Sequence, residues 1–152
     1  MEHLLEAEQR LPYSVEQVFG FFAEADNLER ITPRELRFAI VTPRPIVLAA
    51  SATIDYRLRL FGIPFGWRSV ITEWDPPRAF TDEQVEGPYA LWIHRHTFEP
   101  ERGGTMIRDR VRYRLPLGPL GDLAHPLVRR QLARIFDYRR RAVEAAFPGG
   151  TP

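Results

Sequence analysis

The chain has 152 residues, 44% of them hydrophobic and 27% charged, a balance typical of one globular domain with a sizeable core. The formal net charge is +1, so no long-range field favours a nucleic acid or a membrane surface as a partner. Cysteine is absent, which excludes a disulfide framework, a thiolate nucleophile and a zinc–thiolate site.

The N-terminal part of the chain is predicted to form one strand and two short helices. Residues 2–10 are the first strand. Ser14 and Gln17 match the capping-box pattern, and apolar residues at helical spacing follow them, so a helix is predicted over 15–24. A second short helix ends at Thr32, because the residue before a proline disfavours helical backbone.

Six consecutive strands are predicted between residues 35 and 116. They cover residues 36–41, 53–60, 67–74, 80–86, 89–98 and 105–115, and the intervening turns lie at 61–64, 87–88 and 103–104. The last strand carries an arginine on every second residue of one face, at positions 108, 110, 112 and 114. This ladder indicates the wet face of an antiparallel sheet, and a nucleic-acid stripe is the alternative.

The C-terminal part is predicted to be a loop at 117–121 and then one long amphipathic helix from about 126 to 147. The helix ends at Pro148, so we expect a single domain over 1–147 and a tail over 148–152. The acidic N-terminus does not resemble a signal peptide, and no window approaches the ~20 apolar residues of a membrane span. We therefore expect a cytoplasmic protein without membrane insertion.

This order of elements predicts an α+β fold. Consecutive strands joined by hairpin turns give an antiparallel meander, and the long helix must cover the apolar face of that sheet. The expected architecture is a seven-stranded, strongly curved antiparallel sheet wrapped around a long C-terminal helix, with two short helices between strands 1 and 2. Such an arrangement leaves a gap suited to a small molecule.

The strand at 89–98 places two imidazoles on a face that should be buried. Trp92, His94, His96 and Phe98 alternate with the opposite face, and core faces rarely carry two titratable groups. The same alternation turns further side chains inward from the other strands, with Glu73 among them if no bulge intervenes: Tyr56, Leu58, Trp67, Ser69, Ile71, Phe80, Asp82, Gln84, Asp109, Val111 and Tyr113.

Adjacent strands would bring Asp82 and Asp109 within pairing distance of the two histidines. Three interpretations stay open: a satisfied structural network, a polar patch that orients a ligand, and a catalytic or metal-binding group. We expect no metal and no cofactor. The catalytic candidates are His94, His96 and Asp109.

Several local patterns resemble one family along essentially the whole chain. They are Asn27-Leu28, Ile31-Thr32-Pro33, Trp67 to Ile71, Trp74 to Pro77, Phe80 to Gln84, Gly87-Pro88-Tyr89, the aromatic and histidine residues at 92–98, Gly103-Gly104-Thr105 and Asp109. The chain thereby resembles the START-like, Bet v 1-like (SRPBCC) superfamily in its bacterial polyketide cyclase/dehydrase-type branch. The resemblance implies the helix-grip fold. It leaves function open, because members bind lipids, hormones or aromatic polyketides and some are enzymes.

The function we expect is binding of a small hydrophobic or aromatic molecule, lipid-, polyketide- or isoprenoid-like, between the sheet and the C-terminal helix. The expected ligand-binding residues are Tyr56, Trp67, Ser69, Phe80, Asp82, Gln84, Trp92, His94, His96, Phe98, Asp109 and Tyr113. One alternative is a cyclase or dehydratase that uses His94 or His96 as acid–base, with Tyr56 or Tyr113 as donor. The other is a protein-interaction module with a closed core. A monomer and a homodimer are both open.

Overall fold

A computed structural model describes residues 1–147 of the chain. Its strands and helices follow in the order β1 (Glu2–Leu11), α1 (Val15–Phe22), α2 (Asn27–Arg30), a 3-10 helix (Arg34–Leu36), β2 (Ala39–Ile40), β3 (Thr53–Leu60), β4 (Ile63–Asp75), β5 (Ala79–Glu86), β6 (Leu91–Glu101), β7 (Gly104–Arg114), α3 (Gly118–Asp122) and α4 (His125–Ala146).

The seven strands form one antiparallel sheet in the order β1-β7-β6-β5-β4-β3-β2. The chain meanders from β2 to β7, and β7 then pairs with β1 along its whole length, from Glu2 opposite Arg114 to Leu11 opposite Thr105. The long helix α4 packs on the inner face of this curved sheet through the buried side chains of Leu132 and Val143. The predicted helix-grip fold is confirmed.

The capping box predicted at the start of α1 is present. The Ser14 hydroxyl accepts the backbone N–H of Gln17 at 3.2 Å, and the Gln17 side chain accepts the backbone N–H of Ser14 at 3.2 Å. The helix ends at Phe22 rather than residue 24, and its buried face is apolar, as the spacing predicts. Within residues 1–147 no helix is long and apolar enough to cross a membrane.

Several predicted boundaries are wrong, three of them by enough to change an element. The strand expected at 36–41 shrinks to the two residues of β2, because the 3-10 helix takes Leu36 and Arg37 adopts a left-handed backbone with φ of 47°. The turn expected at 61–64 is only Phe61-Gly62, since β4 already begins at Ile63. The loop expected at 117–121 contains the short helix α3, for which a proline in the first turn is well suited. The predicted helix end at Pro148 and the tail over 148–152 lie outside the described residues.

A β-bulge in β4 decides where Glu73 points. The register shifts between Ile71, which faces Asp82, and Glu73, which faces Thr81. Glu73 therefore lies on the outer face, where its carboxylate accepts a hydrogen bond from Arg95 Nε at 3.0 Å. The bulge turns Glu73 away from the interior, and an extra residue in one strand is the general means of such reorientation.

Candidate functional site

A cavity of about 160 Å³ lies between the inner face of the sheet and α4. An apolar cavity of roughly 150 Å³ can hold a benzene ring, so the space suits a molecule of one or two rings. Its walls come from the helical segments at 22–36, from β3 to β6 and from α4, and the side chains include Leu36, Tyr56, Leu58, Leu60, Trp67, Tyr89, Trp92, Leu132, Ile135 and Phe136.

Aromatic side chains form one wall of the cavity and satisfy their own polar atoms. The Trp67 indole N–H donates to the Ser69 hydroxyl at 3.0 Å, and the Tyr56 hydroxyl lies 3.0 Å from the same oxygen. Trp92 meets Trp67 edge to face, with ring centroids 5.3 Å apart. Because these polar groups already have partners, the wall presents chiefly apolar surface to a ligand.

The polar part of the cavity lining, which we call the polar end, is built by three neighbouring strands. The register places His94 across from Asp82 and His96 across from Asp109. His94 Nε2 lies 2.8 Å from Asp109 Oδ1, and His96 Nε2 lies 2.8 Å from Asp82 Oδ2. The second nitrogen of His96, Nδ1, lies 3.2 Å from Asp109 Oδ1. The carboxylates that sequence alternation predicts near the two histidines are therefore their direct partners.

Arg139 of α4 completes this polar end from the helix side. Its Nη2 lies 3.5 Å from Asp109 Oδ1 and 3.3 Å from His96 Nδ1. The guanidinium also lies over the rings of Phe22 and Phe136, 5.3 and 5.7 Å from their centroids. The side chain is only 13% exposed, so its positive charge acts at short range on the buried carboxylate.

The two carboxyl groups of the polar end are ionised. Burial alone would raise the pKa of Asp109, but the Arg139 charge and the hydrogen bonds from His94 and His96 hold it well below its usual range. The same contest lowers the pKa of Asp82, where burial is outweighed by the hydrogen bond from His96 and the surrounding positive charge.

The pKa values of the two imidazoles are shifted in opposite directions. Burial, reinforced by the positive charge of His96, lowers the pKa of His94 to about 4 against the hydrogen bond to Asp109. Burial also acts on His96, but its bonds to Asp109 and Asp82 raise its pKa above the ordinary value. At pH 6, below the ordinary titration range of histidine, the polar end thus holds two carboxylates, the cations of His96 and Arg139 and the neutral imidazole of His94, and its charges balance.

A metal ion does not suit this arrangement well. Asp82, His94 and His96 each offer a donor atom, and these atoms lie within 4.8 Å of one another. Metal ligands must be deprotonated, however, whereas His96 directs both ring nitrogens at carboxylates and Arg139 adds a positive charge beside it. The residues fit a filled ion-pair network better than a metal centre.

Eight of the residues predicted to bind ligand line the cavity: Tyr56, Trp67, Ser69, Phe80, Asp82, Trp92, His94 and His96. Asp109 does not line the cavity, but its carboxylate contacts both histidines that do. Three others are engaged elsewhere. The Gln84 side chain bonds the backbone of Tyr89, Phe98 packs on Phe19 in the core, and the Tyr113 hydroxyl lies 2.9 Å from His125 Nε2.

A family model described as polyketide cyclase / dehydrase and lipid transport matches residues 11–137, which is most of the chain. The chain belongs to this family. No curated protein matches this family member.

Solved structures share the fold of this family member at low sequence identity. A protein from Thermus thermophilus is 18% identical with a TM-score of 0.78, and the match covers 99% of this chain and all of that one. A START superfamily protein from Mycobacterium smegmatis is 11% identical with a TM-score of 0.70, over 95% and 99% of the two chains. The di-domain ARO/CYC StfQ from the steffimycin biosynthetic pathway is 18% identical with a TM-score of 0.73, over 95% of this chain and 50% of that chain.

Arg139 is the site residue that sequence reasoning missed in this family member. Its position carries a signal, because it follows Leu132, Ile135 and Phe136 by seven, four and three residues and so shares their helix face. A charged residue on the apolar face of a helix needs a buried partner. Two aspartates predicted on the facing sheet supply that partner, so the pattern was sufficient to find it.

Proposed function

We propose that this member of the polyketide cyclase/dehydrase family binds a small hydrophobic or aromatic molecule in the cavity between sheet and α4. The observation that carries the proposal is the division of the cavity into an aromatic and aliphatic chamber and one polar end. The polar groups are few and convergent, which is the usual composition of a small-molecule site. The ligand classes that fit are lipid-, polyketide- and isoprenoid-like.

The neutral imidazole of His94 orients the polar group of the ligand. Its Nε2 is held by Asp109, and within residues 1–147 its Nδ1 has no hydrogen-bond partner, so Nδ1 is the nitrogen left for a ligand hydroxyl. The charged groups beside it already neutralise one another. Since Nε2 carries the proton, Nδ1 accepts a hydrogen bond, and a ligand with a hydroxyl group therefore suits the site better than a formally charged one, because burying an unpaired charge is costly.

Isothermal titration calorimetry with 2-naphthol tests this binding. We expect saturable binding to the wild-type protein and a loss of at least tenfold in affinity for Ile135→Trp, which fills the cavity from α4. Ala133→Trp, an exposed position on the same helix, is the matched control and should bind like wild type. Equal affinity for both variants would rule out this cavity. Native mass spectrometry of protein from its own host then identifies the natural ligand class.

The split titration of the stacked histidines favours a second function, a cyclase- or dehydratase-type enzyme. Paired groups whose pKa values are driven apart are typical of acid–base catalysis. In such a reaction His94 Nδ1 takes a proton from a carbon next to a carbonyl, the C–H electron pair moves into an enolate, and the Tyr56 hydroxyl donates to the enolate oxygen. The similarity to a di-domain ARO/CYC protein agrees with this chemistry at the level of fold.

Deuterium exchange separates the two functions. If the protein acts as an enzyme, it should accelerate exchange of the methyl protons of 2-acetylnaphthalene in D₂O, and His94→Ala should abolish the acceleration while calorimetry still shows binding. His125→Ala lies outside the cavity lining and should leave the exchange unchanged. Binding of the probe without accelerated exchange would identify a binding protein.

A further inference from the structure

Four leucines project into solvent where the chain passes from β7 into α4. Leu117, Leu120, Leu123 and Leu127 are 78%, 72%, 79% and 59% exposed, and we call them the leucine segment. Leu117 precedes α3, Leu120 lies in it, Leu123 lies between α3 and α4, and Leu127 lies in the first turn of α4. Several large apolar side chains exposed within one short stretch of chain are typical of an interaction site.

The polar side chains within this stretch turn away from the exposed face. Asp122 lies 3.5 Å from the N-terminal ammonium and 4.0 Å from His3 Nε2. His125 stacks on His3 with ring centroids 3.5 Å apart and bonds the Tyr113 hydroxyl. Asp122 and His125 therefore anchor this stretch of chain to β1 and β7, and the leucine segment faces outward.

A second exposed apolar element lies at the same end of the sheet. Phe61 and Ile63, at the turn between β3 and β4, are 60% and 57% exposed. Alternate strands of an antiparallel meander run in the same direction. The last residues of β3 and β7, Leu60 and Arg114, therefore lie at the same end of the sheet.

The backbone holds two of these side chains outward in an unfavourable conformation. Phe61 has φ of 53° and Leu117 has φ of 67°, both in the left-handed region that bulky residues seldom adopt. Glycine would suit either backbone position better. The large apolar side chains at these positions are thus not explained by the local fold.

Positive charge surrounds these apolar elements. Arg59 precedes the β3–β4 turn, Arg114 precedes the leucine segment, and Arg129 and Arg130 follow it. All four are exposed and take part in no salt bridge among residues 1–147, whereas Glu2 at the same end is paired with Arg112. The net charge of the whole chain, +1, conceals this local excess.

We propose that this end of the molecule docks on the surface of a bilayer that contains anionic phospholipid. The leucine segment and Phe61 enter the boundary between headgroups and acyl chains, and the arginines contact lipid phosphates. Two residues that line the cavity also lie near this surface. Leu60 is the last residue of β3, next to Phe61, and Leu132 is in α4, five residues after Leu127. Docking therefore brings the bilayer close to the cavity. The docking is peripheral and does not depend on the proposed ligand.

Co-sedimentation with vesicles of phosphatidylcholine, with and without phosphatidylglycerol, tests the proposal. We expect wild-type protein to bind vesicles that contain phosphatidylglycerol and to release as salt rises, because the arginine–phosphate attraction is screened. The double variant Leu120→Glu/Leu123→Glu should lose about tenfold or more in affinity. Arg129→Gln/Arg130→Gln should weaken binding to the anionic vesicles alone.

Val47→Glu is the matched control, because Val47 is 78% exposed but lies between β2 and β3, away from this end. It should bind vesicles like wild type. Failure of the wild-type protein to bind anionic vesicles overturns the proposal, and so does equal binding by the leucine double variant. Light scattering that shows a dimer dissociated by Leu120→Glu/Leu123→Glu, with no vesicle binding by wild type, would assign the surface to a second copy of the chain instead.

Discussion

His94 and His96 stack face to face with ring centroids 3.7 Å apart, yet at pH 6 His94 is neutral and His96 is charged. The difference comes from their partners. His96 faces a carboxylate with each ring nitrogen, whereas His94 has one carboxylate and lies next to the positive charge of His96. Once His96 is protonated, a second proton on His94 is disfavoured by like-charge repulsion at stacking distance.

This pair predicts a stability maximum near pH 6.5. An unfolded histidine titrates at about 6.5. Between pH 6.5 and about 4 the unfolded chain protonates His94 while the folded chain does not, so stability falls as the pH is lowered. Above pH 6.5 the folded chain keeps the His96 proton longer than the unfolded chain, so that stabilisation is lost as the pH rises through the raised pKa.

Urea unfolding at pH 4.5, 6.5 and 8.5 measures this profile. In His94→Phe the decline between pH 6.5 and 4.5 should be reduced, because the buried neutral imidazole is gone. The decline above pH 6.5 should remain, since His96 keeps its carboxylates. Stability that increases from pH 6.5 to 8.5 in the wild type would contradict a charged His96.

Asp109→Asn should destabilise the fold by about 3 kcal/mol, because it leaves His96 and Arg139 without a buried counter-charge. Urea unfolding at pH 7 gives the loss, and NMR titration should show a lower pKa for His96. Asp55→Asn is the control, since its salt bridge with Arg68 is solvent-exposed and should contribute little. Similar losses in the two variants would mean that the buried network does not stabilise the fold.

Alternation along the strands is sufficient to predict most of the sheet and which of its polar residues face inward. One face of each strand is buried, so the period of two reveals which side chains face inward, as for His94 and His96. The prediction that carboxylates lie near them rests on that period together with the predicted adjacency of the strands. Their exact partners depend on strand register, which the sequence of a single strand does not contain.

The errors arise where local backbone geometry overrides the apolar pattern. Residues 36–41 have the apolar content of a strand, but a left-handed Arg37 interrupts it. Phe38 still packs on Tyr56, with ring centroids 4.7 Å apart, so tertiary contacts preserve the burial that the pattern predicted. The bulge that turns Glu73 outward also leaves no clear trace in composition.

Gly104 illustrates a constraint that only the structure reveals. A Cβ at this position would overlap the carbonyl oxygen of Leu11 on the neighbouring strand β1. Gly104→Ala should therefore destabilise the protein by about 2–3 kcal/mol, as overpacking does. Gly66→Ala in β4 meets open space and should leave the melting temperature unchanged or slightly raised. Equal melting temperatures for the two variants would show that β1 can move away from β7 at no cost.

The charge balance at the polar end of the cavity predicts how ligand preference can be changed. At pH 6 two carboxylates offset two cations in the wild type, so 2-naphthol should bind more tightly than 2-naphthoate at that pH. Asp82 lines the cavity, and Asp82→Asn leaves His96 and Arg139 with a single counter-charge. A buried ligand carboxylate can then take the place of Asp82 as the partner of protonated His96.

Calorimetry with both ligands measures the change. We expect Asp82→Asn to reverse the order of affinities, by about tenfold in favour of 2-naphthoate, since one unit of charge at short range in a buried site contributes on the order of 1–3 kcal/mol. Arg139→Met should act in the opposite direction, because it leaves an excess negative charge and keeps the contact of the side chain with Phe136. If both variants retain the wild-type order, the ligand does not reach the polar end, and the aromatic wall alone determines binding.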